Sequence, residues 1–208
     1  DGGTHCGLYD LSYLRCIPNM VIMAPSNEEE CKNMLYTGHL HNGPAVVRYP
    51  RGEGIGINVK EEFYSYKIGR SIKVRDGIKI AIMNFGSVFN VSLEVANELD
   101  CTLIDMRFIK PIDTKAIIDA AENHNLIVTI EDNSIIGGAG SAVNEVLNEN
   151  NFKIPTINIG APDKFFNHAT REEQLIESGI SKSNIIKKIE KCIKNINLYD
   201  FNHSSNIE

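Results

Sequence analysis

The chain has 208 residues, 42% of them hydrophobic, and a formal net charge of −6. That length allows one large or two small domains with a buried core. The acidic balance and the scatter of the basic residues argue against a nucleic-acid surface, and no apolar run reaches membrane-spanning length.

The first seven residues, Asp1-Gly2-Gly3-Thr4-His5-Cys6-Gly7, alternate polar and ionisable side chains with glycines before any apolar period begins. Such a stretch predicts a loop with close backbone approach that sets Asp1 and His5 side by side. No strand precedes it, so its domain is expected to lack its beginning. Residues 8–14 read as a short helix broken at Pro18-Asn19. Residues 20–25 form a continuous apolar run, the pattern of a strand buried on both faces. Ser26 and Glu29 have capping-box spacing and open a helix whose inward stripe is Cys31, Met34 and Leu35. Residues 45–49 predict a second buried strand, with Tyr49 in the core and Arg48 structural. This strand–helix–strand unit, residues 1–52, is too small to stand alone and reads as the last third of an α/β domain. A linker spans 53–63.

From residue 64 to 197 a second domain follows. Ser71-Ile72-Lys73-Val74-Arg75 has the polar alternation of an edge strand and turns at Asp76-Gly77. Strands at 80–85, 103–106, 126–130 and 157–159 then alternate with helices. The helical stripes are Val88, Val91, Val95 and Leu99, then Ala116 to Ala121 behind an Asp113 cap, then Ala139, Ala142, Val143, Val146 and Leu147. Repeated βα alternation predicts an α/β fold, a mostly parallel sheet covered by helices on both faces. Thr170 and Glu173 form a second capping box, stopped by Gly179. The final helix buries Ile185, Ile186, Ile189, Cys192, Ile193 and Ile196, and Lys182 to Lys194 make its solvated face. Residues 198–208 read as a polar tail.

Five cysteines, at 6, 16, 31, 101 and 192, show no CxxC pair and no Cys/His ligand spacing, so zinc is not expected. The odd count points to reduced thiols, with Cys16, Cys31 and Cys101 as core fillers. No signal-peptide pattern is visible.

Asp1, His5 and Arg51 are the candidate site residues. Arg51 follows a proline at a strand's C-terminal end, where α/β sheets bind ligands. A carboxylate, an imidazole and a guanidinium suit a small phosphorylated, hydroxylated substrate. The plainer reading of each is a loop residue bonded to backbone, or an ion pair. Glu131 to Ser134, followed by Gly137 to Ser141, is an acid cluster leading into a glycine-rich helix start. Its free N–H groups could hold an anion, and the alternative is close packing of helix on sheet. The spacing is not that of a dinucleotide fingerprint.

Taken together, DGGTHCG (1–7), DLSYLRCIPNMVIMAPS (10–26), NGPAVVRYPRG (42–52), FGS (85–87), IDMRFIKPID (104–113), EDNSIIGGAGSAVNEV (131–146) and NIGAPDKFF (158–166) resemble the 1-deoxy-D-xylulose-5-phosphate synthase family of the transketolase superfamily. The resemblance runs from residue 1 to about residue 180. It implies a truncated pyrimidine-binding α/β domain followed by a three-layer α/β/α transketolase C-terminal domain. It implies a homodimeric, thiamine-diphosphate- and Mg²⁺-dependent transferase. Such an enzyme joins pyruvate to D-glyceraldehyde 3-phosphate with loss of CO₂, towards isoprenoids, thiamine and pyridoxal. By the same resemblance, Asp1 and His5 would contact the acceptor's carbonyl and hydroxyl region and the thiamine-bound intermediate, with His5 catalytic. Arg51 would hold the acceptor's phosphate. The family's metal motif, its aminopyrimidine-activating glutamate and a second phosphate-binding arginine are expected upstream of Asp1, so the chain alone is expected to be inactive. Plastid and bacterial cytoplasm both fit. The competing readings are a 2-oxoacid dehydrogenase β-type subunit and a non-catalytic dimerisation or regulatory module.

Overall fold

A computed structural model describes residue 2 and residues 5–203, with side chains as far as residue 196. Two sheets make up the fold. The smaller begins with α1 (Asp10–Leu14), β1 (Val21–Met23), α2 (Glu28–Leu40) and β2 (Ala45–Val47). β1 runs parallel to β2, and its three residues are buried. On its other side β1 pairs antiparallel with β6 (Phe108–Lys110), a strand from much later in the chain. Sequence patterning missed β6, because three residues between two other elements carry no period of their own.

The larger sheet has the order β3 (Ile72–Arg75), β5 (Thr102–Asp105), β4 (Ile80–Phe85), β7 (Leu126–Ser134), β8 (Thr156–Ala161). All its pairs are parallel except β3 with β5, so the predicted edge strand is an antiparallel edge. Every residue of β4 and β7 is buried, which is why those segments read as unbroken apolar runs. α4 (Thr114–Asn123) and α5 (Ala139–Glu149) cover one face. There Ile117, Ala139, Val143 and Val146 pack with Met83, Ile104 and Ile127. α3 (Phe89–Glu98) and α7 (Lys182–His203) cover the other, where Val95, Ile185 and Ile189 meet Ile82, Leu103 and Val128. This is the expected three-layer arrangement. The two sheets share one core: Leu11, Ile22 and Ala24 of the first unit lie in the same apolar cluster as Met83, Met106 and Ile109.

Several local expectations need correction. Asn27, not Ser26, caps α2, accepting from the Glu30 N–H at 2.9 Å. Ser26 is buried instead beside Asp105, whose carboxyl it helps to keep ionised against burial. Leu35 is exposed rather than inward, and so is Tyr49. Of the three proposed filler cysteines only Cys101 is buried, while Cys31 is half-buried and Cys16 exposed. β7 extends through Ser134, so the acid cluster lies within this interior strand rather than after it. The last helix stays helical past Asn197, to His203.

Residues 53–63 form no regular element, yet they lie along α2. Gly56 N–H donates to Glu28 Oε1 at 2.6 Å and Lys60 N–H to Glu29 Oε2 at 3.0 Å. Lys32 Nζ donates to the carbonyls of Lys60 and Glu62, at 2.7 and 2.6 Å. Tyr64 and Tyr66 N–H groups are taken by Asn33 and Thr37. Positions 29, 33 and 37 share one helix face. That face serves the strap, so the polar Asn33 and Thr37 are buried where an apolar stripe would otherwise run. Among the described residues no helix is long and apolar enough to cross a membrane.

Candidate functional site

A pocket of about 870 Å³ lies where the first unit meets the second. The loop around His5, Cys6 and Gly7 forms one wall and the segment Arg48 to Gly52 a second. Asp132 and residues 168–178 close it from the other unit.

Each wall is placed by ordinary backbone logic. Arg48 N–H donates to the Met23 carbonyl at 2.8 Å, continuing the β1–β2 ladder one residue beyond β2. Pro50 then removes a donor and turns the chain, so Arg51 stands at the strand's C-terminal end. The His5 N–H closes a turn onto the Gly2 carbonyl at 2.9 Å, and His5 itself is exposed. Gly2 lies against His168: a Cβ at position 2 would sit 3.7 Å from the His168 Cβ. The Thr170–Glu173 capping box forms as predicted and fixes the start of α6 (Arg171–Glu177). Gly179, at φ +81°, lets the chain leave that helix.

An ion cluster ties these walls together. Arg48 Nε donates to Asp10 Oδ2 at 3.3 Å, and its Nη2 donates to the Gly7 carbonyl at 2.6 Å. Nη2 also donates to the Asp132 carbonyl, and Nη1 lies 3.5 Å from Asp132 Oδ2. Asp132 in turn accepts from Arg171 Nη2 at 2.7 Å, and Ser87 Oγ donates to the same oxygen at 3.4 Å. The Arg48 side chain is 10% exposed and that of Asp132 8%, so both charges are largely withdrawn from water and depend on one another. Oδ1 of Asp10 is buried without a hydrogen-bond partner among the described residues.

His5 and Arg51 therefore line one cavity. Asp1 lies outside the described residues. Arg48 is the structural residue its place in the strand suggested. Asp132, His168 and Arg171 were not singled out in the sequence as pocket residues. Asp132 sat in the acid cluster, but only the packing of the two units brings it opposite Arg48. Arg171 could have been located from the capping box, which places it in the first turn of a helix, though nothing in the sequence says which wall that helix faces.

The glycine-rich helix start proves to be already filled. The Glu131 carboxylate accepts from the Ala139 and Gly140 N–H groups at 2.7 and 2.8 Å, with the side chain fully buried. Burial pushes its carboxyl up to about 7, against the pull of those two N–H groups. The acceptor at this helix start is the chain's own carboxyl group.

Comparison with known proteins gives a consistent picture. The family description "Transketolase, pyrimidine binding domain" matches residues 1–55, and "Transketolase, C-terminal domain" matches residues 69–185. The chain is 49% identical over 193 residues to 1-deoxy-D-xylulose-5-phosphate synthase of Photobacterium profundum, covering 93% of this chain and 31% of that protein. It is 52% identical over 191 residues to the enzyme of the same name from Hamiltonella defensa, covering 91% of this chain and 30% of that protein. The chain thus spans about a third of the length of the curated relatives it matches. Among solved structures, a split-gene transketolase described as an inactive β4 tetramer superposes with TM-score 0.77 at 25% identity, covering 92% of this chain and 63% of that one. Transketolase from Campylobacter jejuni superposes with TM-score 0.66 at 17% identity, covering 92% and 29%, which supports the fold alone.

Proposed function

The chain belongs to the transketolase family, and from that premise we propose that it is the carboxy-terminal part of a 1-deoxy-D-xylulose-5-phosphate synthase. The observation that carries this reading is the common cavity of His5 and Arg51, in a chain about half identical to enzymes of that name. The reaction would join two carbons of pyruvate to D-glyceraldehyde 3-phosphate as CO₂ leaves.

Thiamine diphosphate is the cofactor of this proposal, and the pocket fits only part of it. Among the described residues no three His, Cys, Asp or Glu side chains cluster closely enough to hold a metal ion. By the resemblance, the diphosphate–Mg²⁺ end would be held by residues outside this chain, and the polypeptide alone is proposed to be inactive. When bound, the cofactor supplies the electron sink that lets pyruvate lose CO₂ and its remaining carbons act as a nucleophile. This chain's residues serve the acceptor. Arg51 presents fixed donors to the phosphate oxygens, which orients the aldehyde. His5 donates a proton to the aldehyde oxygen as the new carbon–carbon bond forms, so no free alkoxide develops. Asp1, in the same motif, would hold the acceptor hydroxyls.

The split-gene relative's β4 tetramer supports a further part of the reading. This polypeptide would fold and self-associate by itself and wait for the portion that holds the metal. The test is reconstitution with the upstream portion of a relative, followed by a synthase assay. Arg51→Ala should raise KM for D-glyceraldehyde 3-phosphate by roughly tenfold or more with kcat little changed, the pattern of a lost binding contact. An unchanged KM would sink the role of Arg51. Turnover by the isolated chain would sink its expected inactivity.

A further inference from the structure

Arg171 has no part in the function proposed above, yet it lines the same pocket as His5 and Arg51. Its Nη2 donates to Ser87 Oγ at 2.8 Å and to Asp132 Oδ2 at 2.7 Å. Its Nε and Nη1 donate to no described residue. Asp132 is not its private counter-ion, because the same oxygen faces Arg48 at 3.5 Å. The other carboxylate on this wall, Glu173, is engaged by the N–H and O–H of Thr170, at 2.9 and 2.8 Å. The Arg171 side chain is 39% exposed. It is thus a guanidinium held at one nitrogen, Nη2, by a buried acid and a hydroxyl, with the Nε and Nη1 donors remaining on a residue that lines the cavity. Each remaining donor can give one charge-assisted contact to an oxyanion from a group whose orientation is already fixed.

Resting on the function proposed above, we propose that Arg171 is a second oxyanion-binding residue of this pocket, contributed by the C-terminal unit, and takes a phosphate or carboxylate group of the substrate. Asp132 and Ser87 are its positioning residues. The substrate would then be read from both units of the chain at once, Arg51 on the first and Arg171 on the second.

Binding to the 208-residue chain reads this without turnover. Heteronuclear NMR titrations with D-glyceraldehyde 3-phosphate, inorganic phosphate and pyruvate would be run on the natural chain and on Arg171→Gln and Arg171→Lys. Arg171→Gln should raise the dissociation constant for both phosphate compounds by roughly tenfold, with an unchanged thermal midpoint, since a charge-assisted contact is lost. Arg171→Lys should recover part of that loss, because it keeps the charge but not the fixed orientation. A loss confined to pyruvate supports the inference with a carboxylate as the group bound. Equal affinities of the natural chain and Arg171→Gln for all three compounds overturn it, as does the lack of saturable binding by the natural chain. Arg51→Ala in the same titrations separates the two proposals. If it alone weakens phosphate binding, the function proposed above stands and this inference falls. If Arg171→Gln alone does so, Arg171 keeps its role and Arg51 loses its own.

Discussion

Glu131 and Asp132 are neighbours on one strand, and alternation sends them to opposite faces. Asp132 reaches the pocket and its arginines, while Glu131 turns under α5 and accepts two backbone N–H groups. The same residue class therefore serves two purposes, decided by one step of register. For Glu131 the dominant influence is burial, which raises the carboxyl from the ordinary carboxylate range to about 7. The folded chain then holds a proton that the unfolded chain releases between about pH 4.5 and 7. Stability from this group is fully present below that window and is lost as pH rises through it. Glu131→Gln stays neutral throughout and cannot titrate. The natural chain should accordingly lose up to about 3 kcal/mol relative to that variant between pH 5 and 8, the free energy of a shift of this size. Urea midpoints of the two proteins across that range would show it. Parallel curves would mean that the two N–H groups, not burial, govern the acid.

At the scale of elements, α5 shows how much a sequence can say and where it stops. Its apolar face, Ala139, Ala142, Val143, Val146 and Leu147, was legible from period alone, and all five residues are buried. The glycines before and within it were legible as close approach, but whether to a ligand or to the sheet was not. The structure decides for the sheet. A Cβ at Gly140 would come within 2.5 Å of Thr129 Oγ1 and 2.9 Å of Asn158 Cγ. Two effects oppose one another in Gly140→Ala. Helix propensity favours alanine by about 1 kcal/mol, and overpacking costs about 1–3 kcal/mol. Thr129 lies on the interior strand β7, hydrogen-bonded to Asn158 at 3.0 Å, and has little room to yield. The clash should win, with a net loss of up to about 2 kcal/mol in the urea-derived stability. A stabilised variant would show that the helix can slide on the sheet. Asp113 capping α4 and the Thr170–Glu173 box were equally legible, because capping is local chemistry. The α2 cap was misplaced by one residue for the same local reason: Ser26 and Asn27 both can cap, and the buried Asp105 takes up Ser26. β6 and the Arg48–Asp132–Arg171 cluster were not legible, since each is a contact between distant stretches and leaves no spacing to read.

At the scale of the whole molecule, the two units of the chain are joined by an apolar core, by the β1–β6 pairing and by Arg48, among other contacts. The first two are ordinary burial and ladder formation. Arg48 is different, because it answers two carboxylates and two carbonyls from two distant parts of the chain. Arg48→Met keeps most of the apolar stem and removes the charge. Asp10 and Asp132 would then be left short of their counter-ion in a poorly solvated place, Asp132 retaining only Arg171. Breaking a buried pair in this way costs about 3–5 kcal/mol, more than the pair contributes when intact. The Gly7 carbonyl also loses its donor, which releases the loop that carries His5. Two readouts follow. The urea midpoint should fall by an amount corresponding to about 3–5 kcal/mol, and limited proteolysis should cut residues 5–9 faster than in the natural chain. The transition itself should remain single, because Leu11, Ile22 and Ala24 share their core with Met83 and Met106 and cannot unfold without exposing it. Two separate transitions would show that the shared core and the β1–β6 pairing are too weak to couple the two units without Arg48. A loss below about 1 kcal/mol would instead place the cluster among ordinary surface pairs, and the pocket would then owe its shape to the backbone rather than to the charges within it.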